Sequence, residues 1–296
     1  MYILFYTENY FDRSLMFESV NLSKKSGLRH LAPMGNQMVY GPVRSRRLGY
    51  SLGINVNLGM VKICTFDCAY CQYGPTLDLV SSSDEFVDWP DEEMLLEEVD
   101  KWLQRLSAIN QRLDSITFSG FGEPTLYPRL KEAVLGVNKL RNKYYPGVEV
   151  DILTNASLIK NKETFEALKE IDSVVAKLDA GSQVTFEDVN RPAAAVSSLD
   201  EIVESLKKLQ DETGKVKLQT LILKSTDPDS RDNSSPEEIK LIAEKARVIN
   251  PVEIQVYTVS RYPSDAFVTP IDEHSLREVT YAINRVMGKE CAKTYI

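Results

Sequence analysis

Three cysteines fall within eight residues, in Ile63-Cys64-Thr65-Phe66-Asp67-Cys68-Ala69-Tyr70-Cys71. The spacing is CxxxCxxC, close enough for one loop to wrap a single metal centre. A structural zinc takes a fourth ligand, usually from a second Cys or His pair. The two histidines, His30 and His274, form no such pair. A cube of iron and sulfide held by three thiolates keeps one iron without a protein ligand, and that iron can bind a reactant. Zinc, and three cysteines that simply share a buried loop, remain the plainer alternatives. The fourth cysteine, Cys291, reads as a free or buried thiol near the C-terminus. Clustered cysteines, with no basic and apolar leader at the start, predict a reducing, cytoplasmic compartment.

Other reactive types stand where apolar runs end. Ser119-Gly120-Phe121-Gly122-Glu123-Pro124 follows the run Ser115–Phe118. Its glycines let a ligand approach the backbone, and its carboxylate can accept from an ammonium group. A plain Gly-Pro turn is the alternative. Thr154-Asn155 ends a third run, where Asn155 could touch a ligand or cap the next turn. Lys177-Leu178-Asp179 ends a fourth, with residues 177 and 179 on one face of a strand. A buried ion pair without catalytic duty competes there. Arg44, Arg46 and Arg47 precede the cysteines within four residues, and Arg191 follows the fourth run. Guanidinium forks suit phosphate or carboxylate. A solvated basic turn is the other reading of the first three.

These residues need a scaffold that brings strand ends together. Runs with strand character cover 52–58, 115–118, 148–153, 173–178, 216–223 and 252–259. Helical patterns lie between them, at 89–107, 127–143, 161–170, 197–212, 235–249 and 272–287. Ser197 with Asp200, and Ser235 with Pro236, read as helix starts. Alternation of this kind means parallel strands joined by right-handed crossovers. An open doubly wound sheet and a partial barrel both satisfy it, and both gather ligands at the C-terminal ends of their strands. The chain of 296 residues is 43% hydrophobic and 26% charged, so it can build a large core. No run is long and apolar enough to span a membrane. A net charge of −8 argues against nonspecific nucleic-acid binding. Three regions are expected: an irregular or partly helical appendage over 1–38, the α/β body over 39–270, and a C-terminal helix and tail over 271–296.

Cys64, Cys68 and Cys71, with Tyr70 just before the last, resemble the signature of the radical S-adenosylmethionine (SAM) superfamily. The resemblance implies a partial (β/α)6 TIM-type barrel, a [4Fe-4S] cluster, and SAM chelated to its open iron. It also implies reductive cleavage of SAM to a 5′-deoxyadenosyl radical, which abstracts hydrogen from a substrate. Ser119–Pro124 looks like the family's GGEP motif with Phe121 inserted. By that likeness Gly120, Gly122 and Glu123 hold the amino group of SAM. Asn155 lies near the nucleoside, in a Thr-Asn-Gly motif whose glycine is Ala156 here. Tyr70, Lys177 and Asp179 surround the rest of SAM.

Three further segments, 41–53, 186–192 and 255–261, resemble the group related to the wyosine synthase of transfer RNA. That synthase carries three more cysteines upstream and a flavodoxin domain, and this sequence shows neither. The resemblance implies a low-potential electron donor as partner, and a small molecule, tRNA or protein as substrate. A tRNA-modifying enzyme of wyosine type is one alternative. A non-catalytic iron–sulfur or zinc protein is another.

Overall fold

The computed structural model describes residues 37–58, 62–86, 88–229 and 232–296. The expected appendage over 1–38 lies outside the described residues, apart from Gln37 and Met38.

An antiparallel hairpin comes first, formed by β1 (Val39–Ser45) and β2 (Gly49–Ile54). Two short strands, β3 (Ile63–Cys64) and β4 (Asp78–Leu79), flank the cysteine loop and pair with each other. Then strands and helices alternate: α1 (Glu92–Ala108), β5 (Ser115–Phe118), α2 (Leu130–Tyr144), β6 (Glu149–Thr154), α3 (Lys162–Lys169) and β7 (Ser173–Lys177). Two helices follow, α4 (Gln183–Val189) and α5 (Leu199–Thr213), then β8 (Val216–Ser225), α6 (Pro236–Ile249) and β9 (Glu253–Thr258). The chain closes with β10 (Val268–Pro270), α7 (Glu273–Met287) and β11 (Ala292–Tyr295).

The main sheet runs β1-β2-β5-β6-β7-β8-β9-β11, with β10 pairing antiparallel to β8. From β2 to β11 every neighbouring pair is parallel. The sheet curls into a half-barrel, the partial barrel expected from the sequence. The six parallel strands are all present, extended by β11 at one edge and by the hairpin at the other.

Side-chain alternation explains the curl. Ile116, Phe118, Val150, Ile152, Val174, Ala176, Leu218, Ile254 and Val256 belong to the main hydrophobic core, on the face that carries the helices. The helices meet them with apolar stripes at helical spacing, such as Leu199, Ile202, Val203, Leu206 and Leu209 on α5. Burying each side chain of that size stabilises the fold by about 1.5–3 kcal/mol. Residues of the other parity point inside the curl, and many are polar. There Ser51 Oγ and Thr117 Oγ1 are 2.7 Å apart, and Gln219 Nε2 donates to Gln255 Oε1 at 2.9 Å. A filled barrel would carry branched apolar residues at these positions. A polar inner face suits a binding chamber instead.

The structure corrects the sequence reading in four places. Residues 271–296 are not an appended tail. Strand β11 pairs with β9 and covers an edge that would otherwise leave its N–H and C=O groups unpaired. The first barrel strand begins at Gly49 and ends at Ile54, since Asn55 turns its amide back onto the Asn57 carbonyl at 2.7 Å. Helix α4 was not foreseen; its seven residues are too few to show a period. The cap of α5 is Ser198, not Ser197, and it forms a capping box with Glu201.

Candidate active site

The cysteine loop is closed on itself before it meets the barrel. Thr76 donates its backbone N–H to Asp67 Oδ1 at 2.6 Å and its hydroxyl to the Phe66 carbonyl at 2.7 Å. The buried Lys62 reaches across to the carbonyl of Gly74. A second strap comes from the segment after α4. Ala69 N–H donates to the Val189 carbonyl, Asp67 N–H to the Arg191 carbonyl, and Ala193 N–H to the Thr65 carbonyl, each at 2.9–3.0 Å. Phe66 and Phe186 pack edge to face with centroids 5.3 Å apart. The segment 186–192, singled out by its sequence, therefore holds the cysteine loop from behind.

The glycine loop seats on the other side. Ile63 bridges Gly122, and Glu123 N–H donates to the Ile63 carbonyl at 3.1 Å. Gly122 has φ +138°, and a Cβ there would stand 1.8 Å from the Ile63 oxygen. Only glycine fits, because both the backbone angle and the space forbid a side chain. The extra residue, Phe121, is clamped between two asparagines. Asn55 Oδ1 accepts from its N–H at 3.1 Å, and Asn57 Nδ2 donates to its carbonyl at 2.6 Å.

Glu123 is 4% exposed and ties three strand ends together. Its Oε1 accepts from the Thr154 and Thr125 hydroxyls, both at 2.6 Å, and its Oε2 from Asn155 N–H at 2.7 Å. Burial raises its proton affinity, and these hydrogen bonds oppose the rise. Asn155 passes the connection on: its Nδ2 donates to Thr65 Oγ1 at 2.7 Å and lies 3.7 Å from Cys64 Sγ. The next residue, Ala156, has φ +68°. That left-handed angle is the physical reason glycine is common at this place in the motif.

Asp179 anchors the far side. Its Oδ1 accepts from Leu221 N–H at 2.7 Å and pairs with Lys177 Nζ at 3.1 Å. Its Oδ2 accepts from the Tyr70 hydroxyl and from Asn190 Nδ2, the latter at 3.3 Å. Lys177 also donates to the Tyr257 hydroxyl at 2.6 Å and lies over the rings of Tyr70 and Tyr257. Burial alone would lower the Lys177 pKa, but Asp179 and Tyr257 outweigh it and the ammonium is held in its charged form. The ion pair weighed as an alternative is thus real, and it sits inside the site.

The three thiols lie where these networks meet. Asn190 Nδ2 is 3.5 Å from Cys68 Sγ. Burial raises the Cys68 thiol to about 11, with Cys71 adding to the rise and Tyr70 and Asn190 opposing it. Cys64 is pushed up as well, by burial first and then by Glu123. Thiols so placed stay protonated until a positive centre displaces the protons. Among the described residues, no group of three or more His, Cys, Asp or Glu is arranged to hold a single ion. A cube takes each thiolate on a different iron and so spreads its ligands more widely. Three free thiols, two of them met by amide donors, fit that group. Cys291 is remote: its carbonyl accepts from Ile254 N–H near the start of β9, at the opposite end of the strands.

Sequence reasoning brought Tyr70, Gly120, Gly122, Glu123, Asn155, Lys177 and Asp179 to this locus, and the structure gathers them there. It missed Asn190 and Tyr257, although both lie in segments it had quoted. The arginines divide. Arg44 is exposed on β1. Arg191 forms an ion pair with Asp265, so its charge is already matched. These two do not serve as anion binders, because solvent and a carboxylate occupy their guanidinium groups. Arg46 and Arg47, in the turn between β1 and β2, reach across the curl to β9 and the segment after it.

A family model for the Radical SAM superfamily matches residues 59–234. A UPF0026 protein of Methanocaldococcus jannaschii is 31% identical over 257 residues, covering 86% of this chain and 74% of its own. A radical SAM methyltransferase from Sphaerobacter thermophilus has a similar fold, with TM-score 0.59 and 13% identity over 82% of this chain and 65% of that one. A TYW1 structure with a lysine–pyruvate adduct bound has TM-score 0.53 and 12% identity, covering 94% of this chain and 90% of that one. Among the described residues, no helix is long and apolar enough to cross a membrane.

Proposed function

The chain belongs to the radical SAM superfamily and, within it, to the UPF0026 proteins, and from that premise we propose a division of labour among its residues. Cys64, Cys68 and Cys71 hold a [4Fe-4S] cluster, and SAM lies between that cluster and the polar inner face of the half-barrel. When bound and reduced, the cluster supplies the electron that splits SAM, giving the 5′-deoxyadenosyl radical that takes hydrogen from substrate.

The observation that carries this reading is one hydrogen-bonded locus at the C-terminal strand ends. It joins Glu123, Asn155, Asp179 and Asn190, with amide donors 3.7 Å from Cys64 and 3.5 Å from Cys68. A simple metal carrier has no use for a buried carboxylate and an ion pair beside its thiols. Glu123, its Oε2 bonded only by Asn155 N–H, offers an acceptor to the ammonium of SAM. Gly120 and Gly122 keep the backbone low beneath it. Asp179 and Asn190 face the ribose, and Tyr70 and Lys177 shield that carboxylate from water. A low-potential reductant is the implied partner.

The test is anaerobic incubation of reconstituted protein with SAM and dithionite. Release of 5′-deoxyadenosine supports the reading. Intact SAM beside a fully loaded, reduced cluster would overturn it.

A further inference from the structure

Three guanidinium groups meet where the β1–β2 hairpin faces β9 across the curl. Arg47 stacks over the ring of Tyr257, with Cζ 4.1 Å from the centroid. Its Nε and Nη1 are shielded from water and have no hydrogen-bond partner. Arg46 donates from Nη2 to Ser260 Oγ at 2.8 Å. Partial burial lowers the Arg46 pKa, and neighbouring Arg47 and Arg261 lower it further. Arg261 donates to Gln72, the residue after Cys71.

The ion-paired arginines among the described residues are Arg112, Arg129, Arg141, Arg191 and Arg277. Arg46, Arg47 and Arg261 are not among them. Like charges gathered without a carboxylate repel one another, and shielded donors without an acceptor are costly. Both costs are relieved by an oxoanion from outside the chain, which guanidinium forks grip in two parallel hydrogen bonds.

Tyr257 sets where that anion lies. One ring face carries Arg47, and the hydroxyl accepts from Lys177, whose own charge is matched by Asp179. An anion on Arg47 is thus separated by the Tyr257 ring from the residues assigned to SAM. It remains beside the cysteine loop through Arg261 and Gln72.

We propose that Arg47, with Arg46 and Arg261, binds a carboxylate or phosphate group of the substrate. The proposal rests on the radical SAM reading above, and makes the substrate an acid with its anionic end toward the hairpin.

Inorganic phosphate and acetate serve as probes, titrated calorimetrically into anaerobically reconstituted protein with and without saturating SAM. At least one should bind at one site per chain and stay bound with SAM present; which one binds separates phosphate from carboxylate. Arg47→Gln and Arg261→Gln should each weaken that binding at least tenfold, with iron content equal to wild type as the check on folding. Arg44→Gln should change it less than twofold. If Arg47→Gln fails to load iron, Arg261→Gln decides alone. The proposal falls if neither probe binds, if SAM displaces the probe, or if the loaded Gln variants bind as wild type does. Failure to cleave SAM in wild type would instead strike the radical SAM reading, since the titration reads anion binding without turnover.

Discussion

The side-chain amide of Asn190 lies 3.5 Å from the sulfur of Cys68, across 122 residues of chain. The same amide reaches the Tyr70 hydroxyl at 3.2 Å and Asp179 at 3.3 Å. One side chain therefore joins the metal-binding loop, the strap behind it and the carboxylate at the fourth parallel strand. Asn155 does the same from the other side, through Cys64 and Glu123.

A donor to a cluster sulfur stabilises the more negative, reduced state. Asn190→Ala should therefore shift the cluster potential to more negative values while iron content stays near wild type. A redox titration followed by electron paramagnetic resonance reads this, and an unchanged midpoint would show that the amide does not act on the cluster.

The thiol assignments predict iron content directly. Wild type should bind about four iron and four sulfide per chain. Cys64→Ala, Cys68→Ala and Cys71→Ala should each lose most of it, and Cys291→Ala should keep it. Stoichiometric zinc without sulfide in protein purified anaerobically would contradict the assignment.

Gly122→Ala should disturb both loops at once. Its Cβ would stand 1.8 Å from the Ile63 oxygen, so β3 must move and carry Cys64 with it. A loss of at least about 2 kcal/mol is expected from backbone strain together with overpacking. Denaturant unfolding of the apo form measures it, and iron retention should fall in parallel.

Ala156 gives the opposite sign. Its φ of +68° is a strained angle for alanine. Ala156→Gly should raise stability by about 1 kcal/mol, against the usual cost of adding glycine. A lower midpoint in urea would show that the lost methyl, which is buried, matters more than the angle.

Asp151 predicts a pH dependence. Burial raises its carboxyl from 3.8 to about 6, against a hydrogen bond from Ser115. Between these values the folded chain holds a proton that the unfolded chain has lost, so stability falls as pH rises from about 4 to about 6. Asp151→Asn removes the charge and should flatten that slope. Above pH 6 the variant should be more stable by about 2 kcal/mol. Urea unfolding at pH 4.5 and 7 checks the sign, and equal slopes in both proteins would refute it.

What the sequence determined was local. Thiol spacing, strand and helix alternation, and the polar residues that end each apolar run are all written within short windows. They were enough for the partial barrel and for Cys64, Cys68, Cys71, Glu123, Asn155, Lys177 and Asp179. Cap positions and strand ends slipped by a few residues, because a side chain such as Asn55 ends a strand only through the partner it finds. Tertiary structure decided the long-range pairings. Asn190 and Tyr257 looked like ordinary polar and aromatic positions until folding set one beside Cys68 and the other between Arg47 and Lys177. The arginines show the reason most plainly. In sequence Arg44, Arg46, Arg47 and Arg191 are equivalent cations. In the fold Arg44 meets solvent, Arg191 meets Asp265, and Arg47 meets an aromatic ring with two donors left over. A charge is defined by its surroundings, and for these side chains the surroundings come from strands more than seventy residues away.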